Sequence, residues 1–425
     1  MNPAGITIII LILSSIALIT EVVPMAVTAV ITCTALALTG VLSPSAAFAQ
    51  FSSTNVILYV ATFIISESLF RTGFARAVGN TLTKFSKNEK MLVWALVIIS
   101  GLMSAFLSNL ATTALLIPII IGIANSTGYS RSKLLLAMGS AVATGGMATL
   151  LGGPGNVQTK AYIEEITGNP WGAFELSKVG VPLLLIVIVY FAIYGYWKTP
   201  DVMPETEDTV KELKQKKETE NIPVWHQYLS ATVFAGVVLG MIFENQIGIK
   251  FYMVAVIGAL ILVVTKVVPE AEAYRCINWK TVFIFGGLLP LGTAVSESGA
   301  GDIIGNLVLK MMGNTTNPYV VTAILMLVPL VLTQFISNTT ARAMTLPIAA
   351  SVATALKADP VAITLAVSFG SAIAIATPMG QPGNMLVFGA SGLKLKDFLK
   401  IGLPCTIIEY IAAIFLLPLI WPFWP

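Results

Sequence analysis

Apolar residues run through this chain in long blocks, at 6–20, 24–42, 55–70, 91–124, 134–162 and 181–196. After a polar interval they return at 225–243, 251–268, 282–295, 319–355, 361–390 and 398–421. A bilayer core takes roughly 20 helical residues, so most blocks predict one spanning helix each. The blocks at 91–124 and 319–355 are too long for one pass and carry a Ser-Asn pair near the middle. Each is expected to be a re-entrant hairpin that returns to its side of entry. The interval 198–224 contains KELKQKKETE and no aromatic residue before Trp225, and reads as a cytoplasmic linker between units 1–197 and 225–425.

The two units share phrases. SNLATTALLIP at 108–118 matches SNTTARAMTLP at 337–347, and ATLLGGPGN at 148–156 matches ATPMGQPGN at 376–384. SES followed by GFARAVGN at 66–80 matches SES followed by GAGDIIGN at 296–306. All recur in the same order at spacings of about 226 to 230 residues, the mark of an internal repeat. With a hairpin in each unit the net crossings per unit are five, and an odd number turns the second copy upside down, as in many secondary transporters. The expected fold is an all-α polytopic membrane protein of two inverted repeats, each of five transmembrane helices plus a re-entrant hairpin, with broken helices at mid-membrane.

Charge placement bears on orientation. With the N-terminus outside, the inner loops collect Arg71, Arg76, Lys84, Lys87, Lys90, Arg131, Lys133, Lys198, Lys211, Lys214, Lys216, Lys217, Lys266, Arg275, Lys280, Lys394, Lys396 and Lys400. The outer side keeps Lys160, Lys178, Lys250, Lys310 and Lys357. Basic residues favour the cytoplasmic face, so both termini are expected outside a cell (inner or plasma) membrane. The composition, 56% hydrophobic and 11% charged with a mean hydropathy of +0.86, leaves no room for a soluble domain or a nucleic-acid partner. The first block lacks the basic flank and cleavage site of a signal peptide. Isolated Cys33, Cys276 and Cys405 and the single His226 offer neither a disulfide framework nor an intramembrane catalytic set, so no enzyme is expected. Broken helices and hairpins suit alternating access better than an open pore.

Candidate chemistry sits in the shared phrases. Proline removes a backbone donor and glycine tolerates irregular dihedrals, so GGPGN and GQPGN should break their helices and free carbonyls on one side and amides on the other. Carbonyls with Ser, Thr and Asn oxygens suit a hard cation such as Na⁺, and half-helix amides suit an anion. Glycine, proline and serine also serve close packing in membrane helices; four such motifs paired by symmetry point beyond packing to a site.

These residues carry a resemblance. SNTT at 337–340 and SNLA at 108–111, ATPMGQPGN, INWKTVFIFGG at 277–287 and TEVVPMAVTAV at 20–30 resemble the divalent anion:sodium symporter family, carriers of di- and tricarboxylates and sulfate. The resemblance implies a first Na⁺ site from Ser104, Ser108, Asn109 and the Gly152 carbonyl, and a second from Thr333, Asn338 and the Ala376 carbonyl. It implies a small anionic substrate touching Ser108, Asn109, Ser337, Asn338, Thr339 and Pro378, and a homodimer in the lipid bilayer whose transport domain slides elevator-fashion against a scaffold. It needs no organic cofactor. Symport with Na⁺ and anion exchange are both open, as is other cargo of the wider superfamily: sulfate, arsenite, or Na⁺/H⁺ antiport.

The chain departs from that pattern at three places: Leu110 replaces a threonine, GGPGN and GQPGN replace a T/S-P-P-N motif, and Arg342 stands where the repeat mate is Thr113. An intramembrane arginine costs roughly 3 kcal/mol or more without a partner. Arg342 either snorkels outward or pairs with a carbonyl, or it faces the site as an anion ligand or as a fixed charge in place of a coupling Na⁺. Glu67 and Glu297, and likewise Glu21, are read as interfacial anchors, with a proton relay as the alternative; His226 beside Trp225 is read as an interface residue.

Overall fold

The fold is taken from a computed structural model that describes every residue except Met1, Glu21, Gly73, 203–222, Met312, Asn314, Thr316, Met379 and Pro425. Most of the expected linker 198–224, and with it Lys211, Lys214, Lys216 and Lys217, therefore lies outside the described residues, as does Glu21.

The first unit runs α1 (Pro3–Thr20), α2 (Met25–Leu38), α3 (Thr54–Arg71), α4 (Phe74–Thr83), α5 (Glu89–Phe106), α6 (Asn109–Thr127), α7 (Arg131–Gly145), α8 (Pro154–Thr167) and α9 (Ser177–Tyr190). The second runs α10 (Val224–Ile242), α11 (Phe251–Val264), α12 (Trp279–Leu288), α13 (Pro290–Glu297), α14 (Ala300–Met311), α15 (Pro318–Leu332), α16 (Asn338–Leu356), α17 (Pro360–Ala372), α18 (Pro382–Ser391) and α19 (Leu395–Ile420). No strand occurs among the described residues. The order of long helix, short helix, hairpin and broken helix is the same in both units.

Local sequence explains each interruption. The 91–124 block folds as α5 and α6, because Leu107 is extended and the Ser108 hydroxyl accepts the Ala111 amide at 3.3 Å, capping a new helix. Ser337 does the same for α16, accepting the Thr340 amide at 3.3 Å. The 134–162 block breaks between α7 and α8, where Pro154 opens the second helix. Pro382 opens α18 in the same way after an extended Gln381. Among the described residues seven helices are long and apolar enough to span a membrane unaided; Val282–Glu297 and Ala300–Leu307, within α12 to α14, are bent by 85° at their break and make an eighth if counted as one span. The shorter apolar helices among the described residues, of 10–17 residues each, are α2, α11, α15 and α17.

Packing joins the units reciprocally. Helix α8 of the first unit packs on α16 and α17 of the second, and α18 of the second packs on α6 and α7 of the first. The α5–α7 contact is close enough that a Cβ on Gly145 would lie 2.1 Å from the Gly101 carbonyl oxygen. Elsewhere α3 packs on α11 and α2 on α12.

Candidate functional site

The two predicted cation sites are built alike. In the first unit the Ser104 hydroxyl, fully buried on α5, donates to Asn109 Oδ1 at 2.7 Å. In the second the buried Thr333 hydroxyl donates to Asn338 Oδ1 at 2.6 Å. Each pair is then backed by a helix break. Gly146 lies against Asn109 Oδ1, so close that a Cβ there would come within 2.0 Å of it, and Gly152 lies against the Gly146 carbonyl. Around the second pair, Gly380 packs on the carbonyls of Thr333 and Ala374, and the Thr377 hydroxyl donates to the Gln334 carbonyl at 2.7 Å.

The asparagines of the two PGN motifs hold the breaks in shape. Asn156 Nδ2 donates to the carbonyls of Gly146 and Thr149, both at 2.6 Å, and Asn384 Nδ2 donates to the Ala374 carbonyl at 2.7 Å. Each asparagine thereby ties its own half-helix to the backbone on the other side of the break.

Two bridges link a hairpin of one unit to the helix break of the other. Asn109 Nδ2 donates to Gln381 Oε1 at 2.6 Å, joining the first hairpin tip to the second break. From the second hairpin, Arg342 reaches back to the first break: Nη1 donates to Asn156 Oδ1 at 3.4 Å, Nε to the Ser371 hydroxyl at 2.9 Å and Nη2 to the Ser368 carbonyl at 3.0 Å. Arg342 is 2% exposed. It does not snorkel; its partners are three neutral oxygens, and among the described residues no carboxylate pairs with it. The guanidinium rests on Gly155, where a Cβ would fall 2.3 Å from Nη1. Its repeat mate Thr113 rests on the equivalent Gly383, with Oγ1 2.8 Å from a Cβ placed there. One contact of the pseudo-symmetric pair is thus a hydroxyl and the other a charge.

The remaining predicted residues fall as follows. Ser108 borders a small recess of about 20 Å³ with Tyr59, Thr62 and Ser66 of α3 and Pro154 of α8. Ser337 caps α16 and meets the Thr340 hydroxyl at 2.7 Å, while Thr340 itself contacts Met25 Sδ on α2 at 3.3 Å. Asn338 and Thr339 are half-buried at the tip, and Pro378 and Ala376 are buried in the second break. Leu110, in place of the family threonine, is exposed.

Lys160 is buried within α8, paired with Glu164, donating to Asn55 Oδ1 at 3.3 Å and lying 5.0 Å from the Phe251 ring. The PGN break starts α8 six residues before it, which carries Lys160 into the helix. Glu297 is exposed at the end of α13, and His226 sits edge-on to Trp225 with ring centroids 4.0 Å apart.

Sequence reasoning missed Gln381, Ser368 and Ser371 as partners at the centre. The mismatch of GQPGN against GGPGN was a signal for the first; two serines spaced i, i+3 on α17 were a signal for the others. It also missed Glu409, an acid in the apolar middle of the 26-residue helix α19.

Hairpin tips capped by serine, set against two broken helices inside an all-helical membrane protein, define a transporter and not an enzyme. The chain belongs to the citrate transporter family, whose profile matches residues 15–368, and the resemblance to divalent anion:sodium symporters holds at the level of whole chains. The sodium-dependent dicarboxylate transporter SdcS of Staphylococcus saprophyticus is 25% identical over 93% of this chain and 82% of its own length. An uncharacterized transporter of Methanocaldococcus jannaschii is 28% identical over 77% of this chain and 73% of its own. In fold the chain is similar to MtrF of Neisseria gonorrhoeae, with a TM-score of 0.63 at 16% identity, covering 100% of this chain and 97% of that one. It is also similar to the YdaH transporter of Alcanivorax borkumensis, with a TM-score of 0.57 at 16% identity, covering 92% and 89%. It is a multi-pass transporter of the citrate and dicarboxylate type.

Proposed function

We propose that the chain is a secondary active carrier of small di- and tricarboxylates such as succinate, malate or citrate, driven by Na⁺ or by exchange for an internal anion. The observation that carries this reading is the reciprocal bridging of Asn109 to Gln381 and of Arg342 to Asn156. It puts both hairpins and both helix breaks into one interlocked body. The similarity to a transporter named as a sodium-dependent dicarboxylate transporter supports the choice of cargo and ion.

The residues fit the groups they would hold. Hydroxyl, amide and backbone oxygens around Ser104, Ser108, Asn109 and Gly152, and around Thr333, Asn338 and Ala376, form oxygen-only sets suited to a hard monovalent cation. An anionic cargo would be held by the hydroxyl and amide groups of Ser108, Asn109, Ser337, Asn338 and Thr339 beside Pro378. Arg342, a buried positive charge without a counter-charge, raises the potential there and favours a carboxylate nearby. A fixed charge also makes return of the empty carrier harder, which tilts the balance toward exchange. The two units are oppositely oriented, both termini lie outside, and the body of α5–α9 and α15–α19 moves against α1–α3 and α10–α14 in a homodimer.

The test is uptake of labelled succinate into proteoliposomes, with and without an inward Na⁺ gradient and with internal dicarboxylate. Stimulation by Na⁺ supports symport and stimulation by internal succinate supports exchange; absence of both, repeated with malate and citrate, would overturn the cargo.

A further inference from the structure

A second charge breaks the pseudo-symmetry of the core, and the bridges just described do not use it. Helix α19 runs past both helix breaks. Near its start Gly402 packs on the second break, where a Cβ would lie 2.3 Å from the Ile375 carbonyl oxygen. Seven residues later, roughly 10 Å along the axis, Glu409 meets the last turn of α7 just before the first break. Its side chain is 0% exposed. The Thr144 hydroxyl lies 2.6 Å from Glu409 Oε1, and Oε2 is buried with no hydrogen-bond partner. No cationic side chain among the described residues pairs with it.

The first unit shows what ordinary packing requires at this place. Gly180 of α9 packs on Met147 and Ala148 of the first break as Gly402 packs on the second. Seven residues beyond Gly180 stands Val187, which is fully buried. Valine suffices for the contact. A carboxylate there, ionised and unpaired, would cost several kcal/mol on burial, and the neutral acid costs far less. The hydrogen bonds accommodate the acid: Thr144 Oγ1 also lies 3.2 Å from the Ser140 carbonyl. With a proton on Oε1, Glu409 donates to Thr144 and Thr144 donates to Ser140, and each hydrogen has an acceptor.

Among the described residues the surroundings supply no competing proton carrier. On α19 itself Lys396, Asp397 and Lys400 lie in the first two turns, more than two turns before Glu409; Cys405 lies one turn away and is buried, and the Tyr410 hydroxyl is committed to the Ala323 carbonyl of α15 at 2.6 Å. On α9 the Tyr190 hydroxyl is committed to the Ile401 carbonyl at 2.7 Å, and Lys178 pairs with Glu175. On α15 Tyr319 lies against Phe415. Helix α17 carries no titratable residue, and on α7 Arg131 and Lys133 are at the far end of the helix.

We propose that Glu409 is a proton-binding site that couples transport to the pH gradient. The carboxyl holds a proton in the position shown here, and releases it to water when movement of the body that contains both α7 and α19 brings the Oε2 side to a hydrated face. Thr144 is followed by Gly145 and Gly146, and Gly146 touches Asn109 Oδ1. The protonation state is thereby tied mechanically to the first cation site. This inference rests on the carrier reading above.

The experiment compares wild type with Glu409→Gln in proteoliposomes, measuring succinate accumulation under an inwardly directed pH gradient and succinate counterflow at equal pH. Wild type is expected to accumulate substrate with the gradient. Glu409→Gln is expected to lose that response while counterflow persists. A wild type that exchanges succinate yet ignores the pH gradient, or a variant that keeps the wild-type response, would overturn the proton site and leave the carrier reading standing. Absence of counterflow with any dicarboxylate would instead strike the carrier reading. The proton site is then decided without transport, by the infrared difference spectrum of wild type minus Glu409→Gln. A protonated-carboxyl stretching band at neutral pH is expected, and a carboxylate band alone would overturn it.

Discussion

At the scale of single residues, the arrangement around Arg342 makes the sharpest demands. Removing the guanidinium leaves Asn156 Oδ1 without the donor it has here, while the Ser368 carbonyl keeps the Ser371 hydroxyl at 2.7 Å. A buried group so stranded costs about 1–3 kcal/mol. Arg342→Gln should therefore lower thermal stability and weaken succinate binding at least about tenfold, which corresponds to 1.4 kcal/mol; unchanged affinity in counterflow would remove the charge from the site. Gly155→Ala offers an independent route to the same displacement, because its methyl would press on Nη1. It should reproduce the affinity loss with Arg342 itself intact. For the cation sets, Ser104→Ala and Thr333→Ala each remove one hydroxyl oxygen that also orients an asparagine. Both are expected to raise the Na⁺ concentration needed for half-maximal uptake more than they change the succinate dependence, as read from uptake against Na⁺ at fixed substrate. What the sequence shows at this scale is residue type at repeated positions: Ser108 and Ser337, Asn109 and Asn338, Arg342 against Thr113. It does not show which oxygen faces which donor, since Asn109 and Gln381 are 272 residues apart and nothing local couples them.

At the scale of elements, the breaks were legible because proline, glycine and serine act locally. Pro154 and Pro382 must begin helices, and Ser108 and Ser337 must cap them, whatever packs outside. The closeness of α5 to α7 was not legible, because it depends on Gly101 and Gly145 meeting across a hairpin. With the Gly101 carbonyl 2.1 Å from a Cβ on Gly145, backbone and not a flexible side chain blocks the space. Gly145→Ala should force the helices apart at a cost of roughly 1–3 kcal/mol or more. A fall in melting temperature in detergent, beyond that of Gly122→Ala where nothing lies within 4 Å, would show it. Lys160 belongs to this scale too: it stands near the end of a long apolar block, and the PGN break shows that the block holds a fresh helix running to Thr167.

At the scale of the whole molecule, the reciprocal packing of α8 on α16 and α17, and of α18 on α6 and α7, has a simple origin if the repeats are antiparallel. Each broken helix then enters the body from the side opposite its mate, and its second half meets the other unit's hairpin near the middle. Parity gives the same answer as the positive charges. Antiparallel repeats require that equivalent positions lie on opposite sides of the membrane. Asn125 in the last turn of α6 and Thr354 in the last turn of α16 are such a pair, 229 residues apart and both exposed. In a background with Cys33, Cys276 and Cys405 replaced, an impermeant maleimide added to intact cells should label Thr354→Cys and spare Asn125→Cys, and inverted vesicles should show the reverse. Labelling of both from one side would make the repeats parallel. The two bridges would then need another explanation, because two hairpins entering from the same face could not each reach the far unit's break from opposite directions.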